Sequence, residues 1–174
     1  MTAEAVAPPD IPHLQETTDI ASTAEYATVG AVALAASAIQ DQVLGIVRDA
    51  DFSDPRCKFT IGVIRRMRAD NLPVDMVTVV GYVHRHSLLS GGIPRVNLAS
   101  WLAEIADAAP VIASVGYYAE LVVESAARRA ATYAGQRVVA AAEGDSLADL
   151  LAIVCAELVS VMTAIERVGV LANV

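Results

Sequence analysis

Lysine is almost missing from this sequence: Lys58 is the only one in 174 residues. A P-loop needs a lysine, followed by Ser or Thr, that reaches the β and γ phosphates from a glycine-rich turn. Phe59 follows Lys58, so the sequence holds no Walker-type nucleotide site. Cysteine is nearly as scarce, with two. Cys57 and Cys155 stand far apart, with no CxxC and no histidine pattern beside them, which argues against a disulfide scaffold and against structural zinc. Both read as packing thiols. HExxH, a Glu-x-x-His pair, GxSxG and GxGxxG behind a strand are all lacking, so no catalytic residue, cofactor site or metal site is expected.

Base is also short, with twelve basic residues against twenty acidic ones and a net charge of −8. Such a field repels phosphate, and no direct contact with nucleic acid is expected. The first 23 residues carry Pro8, Pro9 and Pro12 with Asp10, Glu16 and Asp19 and no long apolar run, the wrong charge order for a signal peptide. They read as a disordered lead. The strongly apolar stretch from Val29 to Ile39 falls short of the roughly 20 residues that cross a bilayer. No membrane contact and a cytoplasmic location are expected.

What the sequence has is alanine and valine in helical rhythm, with 55 % apolar residues and only 5 % aromatic ones. Small side chains favour closely packed helices. After Ser22 and Thr23, Val29, Val32, Ala36, Ile39, Val43 and Ile46 recur at steps of three and four, predicting one amphipathic helix that ends near Arg48. Asp54 and Pro55 are an N-cap and first-turn proline for a second helix running to about Ala69, with Phe59, Val63, Ile64 and Met67 inward. Asp75 caps a short helix holding Val77, Val80 and Val83. Gly91, Gly92 and Pro94 mark a loop. Leu98, Trp101, Leu102 and Ile105 give another short helix, closed by Pro110.

From Val111 to about Ala142 no proline interrupts an alanine-rich run, which predicts one long helix. A turn around Glu143 to Ser146 leads into Leu147, Leu151, Val154, Leu158, Val161, Ile165 and Val168, a heptad seam. The row facing it is Ala119, Val122, Ala126, Ala130 and Tyr133, small enough for a close antiparallel hairpin. The fold is therefore all-α: a disordered lead over 1–23, a small globular helical head over 24–110, and a long helical hairpin arm over 111–170.

Two thin helices cannot hide all their apolar faces from water. Leu121, Val123, Val138, Val139, Val159, Val170 and Leu171 fall outside the main rows, and dimerisation through the hairpin is the natural remedy. The expected interface comprises Leu121, Val122, Arg128 and Arg129 on the first arm, with Leu147, Leu151, Val154, Leu158, Val161 and Ile165 on the second. Arg65, Arg66 and Arg68 read as solvated faces paired to local acids. His84 and His86, at i and i+2, point to different sides of a helix and read as surface histidines. Trp101 and Phe52 read as core anchors.

Several short marks occur together. They are Ala24-Glu25-Tyr26-Ala27 leading to Gly30-Ala31; Asp51-Phe52-Ser53-Asp54-Pro55-Arg56; Pro73-Val74-Asp75-Met76-Val77-Thr78-Val79; Gly91-Gly92; Trp101-Leu102-Ala103-Glu104-Ile105-Ala106-Asp107 with Pro110; and Tyr117-Tyr118-Ala119 running into Glu124, Arg128 and Arg129. In this order and spacing, over about residues 24–129, the sequence resembles the N-terminal domain of the DnaB-type replicative DNA helicases. Tyr26 stands where a Gln is usual. The resemblance implies an all-helical head and hairpin that assembles as a collar of paired subunits and contacts primase and loading factors. The family's RecA-like motor, with its nucleotide-binding lysine, is not expected within these 174 residues.

The function expected is therefore non-catalytic: a DnaB-like N-terminal domain protein that acts in DNA replication by self-association and by binding replicative helicase, primase or loader. One alternative is half of a split helicase whose ATPase lies on another chain. Another is a helical adaptor unrelated to replication.

Overall fold

The computed structural model describes residues 12–88, 98–107, 111–144 and 146–171, with side chains from Ile20 to Gly169. Among them every regular element is helical. Seven α-helices follow in order: α1 (Pro12–Leu34), α2 (Ser37–Ile46), α3 (Pro55–Ala69), α4 (Met76–Arg85), α5 (Leu98–Asp107), α6 (Val115–Gly144) and α7 (Leu147–Leu171). Two 3-10 turns, Asp49–Asp51 and Ile112–Ser114, precede α3 and α6.

Local chemistry sets several ends. Asp54 accepts from the Arg56 amide at 2.7 Å while Pro55 occupies the first turn of α3, where a missing N–H costs nothing. Asp75 accepts from the Val77 and Thr78 amides at 2.8 and 2.9 Å, and Thr78 Oγ1 accepts from the Asp75 amide at 2.8 Å. This reciprocal capping box starts α4.

Two sequence expectations are corrected at the N-terminal side. The stretch 12–23, expected as disordered lead, is the first part of α1. The single helix expected from Ser22 to Arg48 is broken at Ala36, whose backbone is extended. The rhythm survives the break because α1 and α2 turn their apolar faces to one core. Buried Gln40 holds the kink: its Nε2 lies 3.1 Å from the Val32 carbonyl, 3.0 Å from that of Ala35 and 3.1 Å from that of Val74. The first two lie at the C-terminal end of α1, where carbonyls run short of helical amide donors; that of Val32 also accepts from the Ala35 amide at 3.3 Å.

The core gathers Val29 and Val32 of α1, Val43 of α2, Ile61, Ile64 and Met67 of α3, Val79 and Val83 of α4, and Trp101, Leu102 and Ile105 of α5. Phe52 joins them, as expected for an anchor. A Cβ on Gly30 would meet the Ile105 carbonyl oxygen at 2.5 Å, so α1 and α5 approach as closely as they do only because this residue has no side chain. Val115, Ala119, Val122 and Val123 belong to the same core, which makes the first half of α6 a head helix. The arm that stands clear of the head thus begins farther along than Val111. The loop expected around Gly91 to Pro94, and Pro110, lie outside the described residues.

Candidate protein interface

The α7 helix has an inner and an outer stripe. Leu150, Val154, Glu157, Val161, Ala164 and Val168 recur at steps of four and three and are half-buried, which marks the side turned toward α6. One position along, Leu151, Cys155, Leu158, Met162 and Ile165 repeat the same steps and are exposed. The expected seam is divided between these stripes. Val154, Val161 and Val168 lie on the inner one, whereas Leu147, Leu151, Leu158 and Ile165 are 84 %, 64 %, 58 % and 57 % exposed.

This corrects the expected packing of the whole row on the first arm. Small Ala164, and Glu157 paired with Arg137 at 2.9 Å, suit the narrow alanine face of α6 better than a further row of leucines. Along α6, Ala119 and Val122 are buried, Ala126 and Ala130 are half-buried, and Tyr133 is exposed. Val139 is exposed near the hairpin tip, as is Val159 on α7.

The other expected interface residues divide as well. Leu121 is half-buried against the core, and Arg128 is exposed with Glu124 2.5 Å away. Val122 is only 1 % exposed, a core residue of this chain rather than a surface one. Its i−3 and i+1 neighbours Ala119 and Val123 are buried with it, because α6 packs on α1 here and not only on α7. Arg129 is turned inward: it donates to Ser125 Oγ at 3.0 Å and to the Asp51 carbonyl, and lies 3.7 Å from Glu25. Val170 and Leu171 lie outside the described side chains.

The arm rises from a head surface built on the 51–56 motif. Glu25 is 1 % exposed, yet its carboxylate is fully engaged. It accepts from the Ser53 amide at 2.8 Å, the Ser53 hydroxyl at 2.6 Å and the Asp54 amide at 2.9 Å. Asp54 is bonded by Arg56 and by the Tyr26 hydroxyl, the latter at 2.8 Å. Burial alone would raise the Asp54 carboxyl, but the hydrogen bonds from Arg56 and Tyr26 outweigh it and hold the group down to about 2. Burial and the bond to Asp54 push the Tyr26 hydroxyl up. Arg56 spans the Tyr26 and Trp101 rings at 5.7 and 5.3 Å from their centres, so the tyrosine standing in place of the usual Gln is both a bonding and a stacking partner.

Sequence reasoning missed Asp51 and Arg167. Asp51 is 4 % exposed and accepts both Arg167 guanidinium nitrogens, at 2.9 and 2.8 Å. The residues are 116 positions apart, and only the family-like 51–56 motif pointed at this region. Among the arginines read as solvated faces, Arg65 pairs with Asp49 at 3.1 Å and Arg68 with Asp41 at 2.7 Å, while Arg66 is exposed. Exposed His84 and His86 end α4, with the His86 ring on Tyr82.

From Leu147 to Gly169, 23 residues, α7 is also long and apolar enough to cross a membrane. The expectation drawn from residues 29–39 is corrected on this point. Scattered Asp149, Glu157, Glu166 and Arg167 interrupt the run and hid its length. Glu157 and Arg167 are tied by ion pairs to α6 and to the head, contacts that insertion into lipid would have to break.

The described helices thus form a helical head bearing a two-helix arm with one uncovered apolar stripe. The chain belongs to the family of DnaB-like helicase N-terminal domains, which it matches over residues 18–124. It is 31 % identical over 141 residues to the replicative DNA helicase DnaB of Leifsonia xyli subsp. xyli (strain CTCB07), covering 79 % of this chain but 30 % of that helicase. The crystal structure of the N-terminal domain of DnaB helicase from Mycobacterium tuberculosis is similar at a TM-score of 0.69 and 32 % identity, covering 78 % of this chain and 94 % of that one.

Proposed function

We propose that this protein acts in DNA replication without catalysing a reaction, by pairing with a second copy through its hairpin and by binding a replicative helicase, primase or loader. The observation that carries this reading is the outer stripe of α7, where Leu151, Leu158, Met162 and Ile165 stay more than half exposed. Covering them would recover on the order of 5 kcal/mol per copy, at about 2 kcal/mol for each fully buried side chain. Two copies contribute twice that, which is of the size needed to offset the loss of free motion on association. The stripe from Leu147 to Ile165 holds no charge, so its cover is another apolar helix face. Acidic composition and the pairing of Arg65, Arg68 and Arg128 with carboxylates weigh against a nucleic-acid surface.

Two measurements test this. Light scattering over a concentration series gives the mass, with a dimer expected. Cys57 is buried and its thiol is pushed up by that burial, which leaves exposed Cys155 in the stripe as the thiol that a mild oxidant reaches. Rapid crosslinking of copies through Cys155 is expected. A chain that stays monomeric at every concentration, forms no crosslink and retains neither purified replicative helicase nor primase would refute the reading.

A further inference from the structure

The first half of α6 is packed into the head, but charge, more than packing, ties α7 to it. Where α6, α7 and the 3-10 turn Asp49–Asp51 meet, the facing residues are mainly small, among them Ala126, Ala130, Ser160 and Ala164, and a cleft of about 440 Å³ remains between the elements. No described side chain of α7 is fully buried. Val168 packs half-buried on the core, and the Glu157–Arg137 pair ties α7 to α6 rather than to the head.

Across this loose joint both arms reach the same residue. Arg167 of α7 forks onto the Asp51 carboxylate, and its Nη2 lies 3.4 Å from the Ile46 carbonyl. Arg129 of α6 donates to the Asp51 carbonyl from the other side. Asp51 Oδ2 also accepts from the Arg48 amide at 2.6 Å, so the turn that presents the carboxylate is fixed by that carboxylate. A planar fork on a nearly buried acid fixes direction as well as distance, which a single alanine contact cannot do.

The geometry points to Asp51 as the positioning residue of the hairpin, with Arg167 and Arg129 as the two grips that set the angle at which α7 leaves the head. Removing Arg167 leaves the Asp51 carboxylate with the Arg48 amide but without its charged partner, and the cleft beside it gives α7 room to swing.

Spin labels on Cys155 and on an introduced cysteine, Lys58→Cys at an exposed position of α3, report the placement of α7 against the head as a distance. Labelled chain diluted in unlabelled chain restricts the readout to one molecule, so the result does not depend on whether copies associate. The starting protein is expected to give one narrow distance distribution. Arg167→Met should at least double its width and speed amide exchange over residues 160–169 at least tenfold, with exchange in α3 unchanged. Arg167→Lys keeps the charge without the fork and should fall between the two. A folded R167M chain with the original width and exchange overturns the assignment. Should R167M fail to fold, Asp51→Asn, which keeps the shape and loses the charge, is read by the same criteria.

Discussion

The head and the arm obey one rule of apolar periodicity and reach opposite ends. α1 is covered by α3, α5 and α6, so Val29 and Val32 leave water completely. α7 has α6 as its main neighbour, and a second row of leucines stays in solvent. The difference is in how many neighbours cover the apolar faces each helix presents. An amphipathic helix with one apolar stripe needs one partner; α7 has two stripes and the chain supplies cover for one. Buried polar groups follow the same division. The head's Glu25 and Asp51 have strong donors, whereas α7 carries no buried polar side chain among those described.

The largest expected contrast is in large-to-small substitution. Ile61 and Ile64 are fully buried among residues of several helices, and Ile61→Ala should cost about 4 kcal/mol through lost burial and the cavity left behind. Chemical denaturation of Ile61→Ala and Leu158→Ala, at a concentration low enough to keep the chain monomeric, checks this. Equal losses at the two sites would erase the distinction between head and arm. Next in size is Glu25→Ala, which strips the Ser53 and Asp54 amides of their acceptor and should cost about 3 kcal/mol. Glu25→Gln, which retains an acceptor oxygen, should recover part of that loss in the same experiment.

How far these contrasts were readable beforehand depended on whether the deciding chemistry was local. The bounds of α3 follow from Asp54 and Pro55 at one end and a fading apolar pattern at the other, and the helix observed is Pro55–Ala69. The break after α1 has no such mark, because neither proline nor glycine lies at 35–36; Gln40 and the distant Val74 carbonyl stabilise it. In α7 the rhythm was readable but its phase was not. Apolar residues cover so much of the helix that steps of three and four fit either stripe, and only the width of α6 chooses between them. The grip of Arg167 on Asp51 spans 116 residues and leaves no trace in local spacing.

Acid sharpens the comparison on the head side. Asp54 titrates at about 2 when folded, against an ordinary 3.8. A lowered folded value means stability that is present above pH 4 and lost as pH falls from about 4 to 2, amounting to about 2 kcal/mol for a shift of this size. Asp54→Asn keeps an N-cap for α3 while removing the titration. Its stability curve should therefore be flatter than that of the starting protein between pH 4 and 2. Parallel curves would mean that Arg56 and Tyr26 do not favour the charged form as their geometry requires.

The smallest expected effect on folding is also the most informative about the arm. Leu158 is 58 % exposed in the middle of the outer stripe, with no polar group to offend. For a single chain, Leu158→Asp should change stability by no more than about 0.5 kcal/mol, the usual range for surface substitutions. The same aspartate placed between two apolar faces would be a charge without a partner, so copies carrying it should not pair. Ile64→Asp, by contrast, should unfold the head. Denaturation at low concentration and light scattering at high concentration separate the two consequences. A monomeric Leu158→Asp chain as unstable as a core variant would place this leucine inside the fold, and one of undiminished dimer mass would place the contact elsewhere on the arm.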